Sequence, residues 1–167
     1  GKNTYLDVAS SYGWFVSKML EAGYDAYGVE RDIISIEVGK QVYKLDVNKR
    51  IINSEVTKYL ELCKRKVDIV SCLSLLHHFV LNKNSVSAVE LIKHLDRVTK
   101  KVLFIDTGQS HEKSFSKLLP EWDDEYIKSW IKKYTTFTKI IPLGVDNDSK
   151  GVFSNYYKRT FFACVRE

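Results

Sequence analysis

Apolar and polar positions along the chain switch repeatedly between two periods, and the order of the switches predicts the elements. Residues 5–9, YLDVA, read as a buried strand. Phe15, Val16, Met19, Leu20 and Ala22 then recur at helical spacing, and Gly23 marks the stop. Residues 25–30 read as strand two, and 42–46 as strand three after a short crossover. A helix is expected over 54–63, capped by Ser54 with Glu55 in its first turn. Residues 67–74 form the most strand-like run and, being apolar on both faces, belong at the sheet centre. A helix over 85–98 keeps Val86, Val89, Ile92 and Leu95 on one side, and 102–107 gives strand five. After Pro120, the residues Trp122, Tyr126, Ile127, Trp130 and Ile131 form a helical apolar stripe. Residues 137–145 and 155–165 flank DNDSKG, which is turn chemistry, so the last two strands form a hairpin. The alternation predicts an α/β domain with a mainly parallel sheet. No repeat, linker or low-complexity segment divides residues 1–167, which read as a single domain.

Composition changes this picture little. An apolar share of 44% excludes a disordered chain. Lys and Arg number 26 against 21 Asp and Glu, a net +5 compatible with an acidic substrate or RNA. The basic residues are scattered, as at Lys64 to Lys66, Lys100 with Lys101, and Lys132 with Lys133, so they read as solvated faces. Cys63, Cys72 and Cys164 lie far apart without a CxxC pair, so neither a metal site nor a disulfide is expected. There is no apolar run of membrane-spanning length and no signal-peptide pattern. A cytoplasmic protein without a membrane partner is the expectation.

Candidate chemistry concentrates where strand one meets helix one. LDVASSYGWF, residues 6–15, is a strand, a tight loop of small residues and a helix start near Gly13. Such a loop lies at the carboxyl end of the sheet, where open α/β folds bind ligands. Glu30 ends strand two, placing a carboxylate within reach of a ribose hydroxyl pair. A nicotinamide dinucleotide calls for G-x-G-x-x-G, because its pyrophosphate needs close backbone approach. Here Ala9 and Ser11 hold the tight positions and Lys2 is too early for a Walker lysine, which counts against a dehydrogenase. A ligand without phosphates, such as S-adenosylmethionine, fits better.

Beyond the central strand stand the adjacent His77 and His78. An imidazole there can take a proton from an acceptor hydroxyl or, as a cation, hold a phosphate. The alternative is that one packs under the next helix while the other orients the loop. His77, first after the strand, is expected nearest the reacting group. Asp106, ending strand five, faces the same mouth. Tyr12 can line the pocket, Trp14 is expected to pack helix one on the sheet, and Arg159 is expected as a solvated edge charge rather than an anion binder.

The order LDVASSYGWF, YGVE, KLDV, DIVSCLSLLHHFV resembles the class I S-adenosylmethionine-dependent methyltransferases over nearly the whole chain. Asp7, Ala9, Ser11 and Gly13 match that family's first motif in order, with two usual glycines replaced. Glu30 matches its ribose clamp, and Asp46 its adenine-edge acid, with Val47 beside the ring. Cys72 and Leu73 follow on the central strand. The resemblance implies a Rossmann-like seven-stranded, mostly parallel sheet with an antiparallel C-terminal hairpin strand and helices on both faces. It also implies S-adenosyl-L-methionine as cofactor, no metal, and methyl transfer to oxygen or nitrogen. His77, His78 and Asp106 are then the candidate catalytic residues.

Within the class, SLLHHFV, KVLFIDTG and the tryptophan-rich helix are similar to two subgroups. One is the methyltransferase module of O-antigen chain-capping enzymes; the other is the wobble-uridine tRNA-modifying enzymes. A small-molecule or saccharide acceptor is therefore expected first and RNA second, with a non-catalytic binding module of the same fold as the rival. Members of these subgroups carry extra sequence before strand one, so an N-terminal cap segment is expected to be missing.

Overall fold

Apolar runs on both faces place β1 (Thr4–Val8) and β4 (Val67–Cys72) side by side in the interior of the sheet. The computed structural model describes residues 1–81, 86–146 and 158–166. Between these two strands the chain forms α1 (Trp14–Glu21), β2 (Asp25–Glu30), α2 (Ile33–Tyr43), α3 (Val47–Arg50), β3 (Ile51–Asn53) and α4 (Val56–Leu62). After β4 come α5 (Leu76–Val80), α6 (Ala88–Val98), β5 (Thr99–Ile105), α7 (Asp124–Tyr134), β6 (Lys139–Val145) and β7 (Thr160–Val165). The strands order as β3-β2-β1-β4-β5-β7-β6, with β7 antiparallel to both of its neighbours and the β3-to-β5 pairs parallel. This is the expected Rossmann-like sheet. Chain order reverses between β1 and β4, which opens a crevice at their carboxyl ends.

Alternation along the strands divides the core. Leu6, Val8, Val70, Cys72, Leu103, Ile105 and Phe162 face α6 and α7, which contribute Leu91, Ile92, Leu95, Ile127 and Ile131. Each such fully buried aliphatic side chain is worth about 1.5–3 kcal/mol. A smaller cluster on the other face joins Tyr5 and Ala26 to Val16 of α1 and to Leu45. Ser87 caps α6 in a reciprocal box with Glu90, so that helix begins at Ala88 rather than at 85.

The main departure from the sequence expectation lies between β2 and β4. Residues 42–46 are not strand three; α2 runs through to Tyr43, started by Asp32, whose carboxylate accepts from the Ser35 N–H. Strand three is the short β3, paired to Gly28, Val29 and Glu30. Three residues give too brief an alternation to stand out, whereas Tyr43 and Leu45 on either side of Lys44 mimic one. The next helix takes Glu55, not Ser54, at its N-cap. Strand five starts three residues earlier than expected, at Thr99, and the short α5 was not foreseen. The hairpin pairing of β6 with β7 is as expected, while DNDSKG from residue 147 onward lies outside the described residues. Trp14 does not pack on the sheet: it is 46% exposed and meets Phe15 edge-on at 4.7 Å.

Candidate functional site

The loop after β1 keeps a glycine-type backbone without the glycines. Ala9, Ser11 and Gly13 have φ of 60°, 49° and 73°, all left-handed. Ala9 and Ser11 each bear a cost of about 1–2 kcal/mol for this. Gly13 also needs its bareness, since a Cβ there would lie 2.8 Å from Leu45 Cδ1. Gly39 of α2 serves the same loop: its backbone abuts the Tyr12 carbonyl so closely that any side chain would drive the helix away.

Glu30 holds this loop from the end of β2. Its Oε2 accepts from the Ser11 N–H at 2.8 Å, and its Oε1 from the Arg31 and Asp32 N–H groups, both at 2.8 Å. Asp7, the other acid of the motif, lies underneath and is buried. The Ser71 hydroxyl donates to its Oδ1 at 2.6 Å, and the Tyr5 hydroxyl is 2.6 Å from Ser71 Oγ. Burial pushes the Asp7 carboxyl up to about 7; the Ser71 hydrogen bond opposes this and the Glu30 charge adds to it. Glu30 thus grips the loop backbone at Ser11, while the buried Asp7 ties β1 to Ser71 of β4.

A cleft of about 580 Å³ opens beside Glu30, in the range of small-ligand sites. It is lined by Ala9, Glu30 and Arg31 on one side, by Glu55, Val56 and Thr57 after β3, and by Ser74, Leu75, His78 and Phe79 after β4. Arg31 and Glu55 pair across it at 3.3 Å. Sequence reasoning missed the residues after β3, because that strand was placed too early. Asp46 and Val47, expected to follow strand three, precede β3 instead. Asp46 pairs with Lys49 at 2.9 Å and Val47 packs beside Leu45, while Glu55 and Val56 occupy the cleft.

The histidine pair divides. His77 is buried, its Nδ1 accepting from the Gly108 N–H at 3.2 Å and its ring 5.0 Å from Phe115. His78, with ring centroid 4.2 Å from that of His77, is the one that lines the cleft. An α5 of one turn rotates the first histidine inward and the second outward, which no linear order could reveal. Cys72 points into the core, where burial raises its thiol far above the usual range, so its side chain is not part of the cleft. Leu73 is half-buried next to Ser74, whose φ is 53°.

Ser74 links the cleft to the region after β5. Its N–H donates to Asp106 Oδ1, and its Oγ accepts from Arg159 Nη1 at 3.2 Å. Burial raises the Asp106 carboxyl; the Ser74 N–H and Arg159 pull the other way. Arg159 is no solvated edge charge. It is 4% exposed and paired in a fork to Glu112 at 2.9 and 3.1 Å.

The donor set fits a phosphate-free adenosyl ligand. In the loop, Ser10 N–H donates to the Val29 carbonyl, Ser11 N–H to Glu30, and Gly13 N–H to the Ser10 carbonyl. A pyrophosphate would find these donors spent, whereas Glu30 retains acceptor capacity for hydroxyls. Among the described residues no group of His, Cys, Asp and Glu is placed to hold a metal, and no helix is long and apolar enough to cross a membrane.

Comparisons with known proteins agree with this architecture. The chain superposes on the crystal structure of WbdD with a TM-score of 0.74 at 15% identity, over 98% of this chain and 35% of that one. Another WbdD structure describes that protein as a bifunctional kinase-methyltransferase. The chain therefore spans about a third of the length of WbdD. Magnesium protoporphyrin IX methyltransferase (ChlM) from Synechocystis PCC 6803, solved with bound SAM, gives a TM-score of 0.69 at 18% identity, over 99% of this chain and 71% of that one. A SAM-dependent methyltransferase from Archaeoglobus fulgidus gives 0.67 at 14%, over 99% and 87%. No curated protein matches the sequence. The model of a methyltransferase domain family matches residues 6–103, the segment that builds the loop, Glu30 and the cleft, and the chain belongs to that family.

Proposed function

We propose that this domain binds S-adenosylmethionine in the cleft between loop 9–13 and residues 55–57, and transfers its methyl group to an oxygen or nitrogen of a small-molecule or saccharide acceptor. The observation that carries this reading is the Glu30 carboxylate, fixed by three backbone N–H groups at the edge of a cleft beside a loop whose Ser10, Ser11 and Gly13 N–H groups already have acceptors within the protein. The cofactor, when bound, supplies a sulfonium-activated methyl.

The chain's own work is alignment and proton handling, and alignment supplies most of the rate in such transfers. Glu30 accepts the ribose hydroxyls, and Glu55 with Val56 meets the adenine in place of Asp46 and Val47. Loop residues Ala9, Ser11 and Gly13 surround the methionine part, with Asp7 beneath them. On the acceptor side His78 takes the proton released by the nucleophile, and Asp106 binds the acceptor beside Ser74. His77 orients that side from within. WbdD and ChlM are both methyltransferases by name, and their likeness supports the reaction class while leaving the acceptor to experiment.

The test is incubation with methyl-labelled S-adenosylmethionine and fractionated cell extract. Label in the small-molecule or glycan fraction is the expected result. Label in RNA would replace the acceptor, and no label in any fraction together with cofactor binding would make the domain a binding module.

A further inference from the structure

The Arg159–Glu112 pair is almost wholly withdrawn from water, at 4% and 5% exposed, and neither residue lines the cleft. A buried ion pair is a poor device for stability alone. Desolvating both charges often costs more than their attraction returns, and apolar side chains of similar volume do as well or better. What an apolar pair cannot supply is the further contact that Arg159 makes. With Nε and Nη2 forked on Glu112, its Nη1 donates to Ser74 Oγ at 3.2 Å. Ser74 lines the cleft with a left-handed backbone, and its N–H donates to Asp106. Beneath the guanidinium lies Phe115 at 5.8 Å, which in turn meets the His77 ring, and His77 accepts from Gly108. One guanidinium therefore joins the start of β7, the segment 106–119 and residues 74–77.

We propose that Arg159 is a positioning residue for methyl transfer: locked in one orientation by Glu112, it sets Ser74 and Asp106 at the acceptor end of the cleft. The proposal rests on the methyltransferase reading above. The charged or titratable groups acting on Asp106 include Arg159, Asp146 and Glu112, with the Cys72 thiol close by, and Arg159 is the one that draws its carboxyl downward. Without Arg159, Asp106 should titrate at higher pH.

The experiment compares Arg159→Met, Glu112→Leu, their double variant and Arg159→Lys with the wild type. Each is read by melting temperature, S-adenosylmethionine affinity in calorimetry, the carboxyl-carbon titration of Asp106 by NMR, and label transfer into the extract fraction that the wild type labels. Each single apolar variant is expected to melt lower, since it takes one partner from a buried, hydrogen-bonded ion pair and leaves the other partner's charge less well compensated. The double variant is expected to recover melting and to keep cofactor affinity within about twofold, yet to transfer label roughly tenfold to a hundredfold more slowly, as misplacement of a reacting group does. Its Asp106 titration should move up. Arg159→Lys, which keeps the charge but not the fork, should hold Asp106 nearer its wild-type titration while transfer stays slow.

A double variant that transfers label at the wild-type rate with Asp106 unmoved would make the pair merely structural and overturn the proposal. Should the double variant fold poorly, Arg159→Lys decides alone: normal transfer overturns the positioning role. A wild-type protein that fails to bind S-adenosylmethionine overturns the methyltransferase reading instead, and the Asp106 titration still judges Arg159.

Discussion

At the β1–β3 end of the cleft, shape comes from backbone. Left-handed residues at 9, 11 and 13 set the loop, a bare Gly39 lets α2 press on it, and one carboxylate, Glu30, gathers three neighbouring N–H groups. At the β4–β7 end, shape comes from charged side chains brought from far apart in the chain. Arg159 reaches Ser74 across 85 positions and Glu112 across 47. A site built on local backbone suits a ligand shared by a whole family. One built on long-range side chains can change with its acceptor while the sheet stays the same.

Breaking the backbone end should have the largest effect. Gly13→Val forces a β-branched residue to φ 73° and sets its Cβ against Leu45, so cofactor affinity should fall a hundredfold or more (roughly 3 kcal/mol). The apo protein should still fold, and a normal melting shift with S-adenosylmethionine would show that the loop does not cradle it.

The buried Asp7 sharpens the comparison, because it is a side-chain device beneath the backbone end. Its folded value of about 7 lies above the unfolded value of about 4. Between those values the folded state holds the extra proton, so stability falls as pH rises through this window and levels off above it. Asp7→Asn should match the wild type near pH 4 and exceed it above pH 7 by roughly 3–4 kcal/mol. Parallel stability–pH curves from chemical denaturation would refute this.

Glu30→Ala should weaken cofactor binding about tenfold or more, near 1.4 kcal/mol. It should also lower stability by about 1 kcal/mol, since three N–H groups lose a charged acceptor and turn to water. Unchanged affinity in calorimetry would remove Glu30 from the site. The smallest effect is expected for Ala9→Gly. Relief of the left-handed strain is partly offset by greater freedom of the unfolded chain, leaving a net gain below about 1 kcal/mol and unaltered affinity. A lower melting temperature would mean that the Ala9 methyl packs usefully.

The same contrast explains what could be read from the chain. The alternation of strands and helices, the loop at 6–15 and the place of Glu30 at a strand end follow from local pattern, and the sheet has the topology that the family resemblance implies. Strand three lies later than the pattern predicts because IIN is too short to show alternation, so Asp46 and Val47 precede that strand rather than follow it. That two histidines follow the central strand is plain from the chain, but which of them faces the cleft depends on the rotation of a five-residue helix. Arg159 looked like an edge charge because its partner Glu112 lies 47 positions away, in a segment without helical or strand period. Backbone-built features are written locally, whereas a pairing across the fold leaves no local trace.

The central claim is that one cleft, framed by loop 9–13, Glu30 and residues 55–57, holds the cofactor. Amide chemical-shift mapping during titration with S-adenosylmethionine tests it most directly. The account predicts saturable shifts at Ala9 to Gly13, Glu30, Arg31 and Glu55 to Thr57, with Asp46 and Val47 little changed. Saturation with no shift at Glu30 or Glu55, or with the largest shifts at Asp46 and Val47, would contradict it.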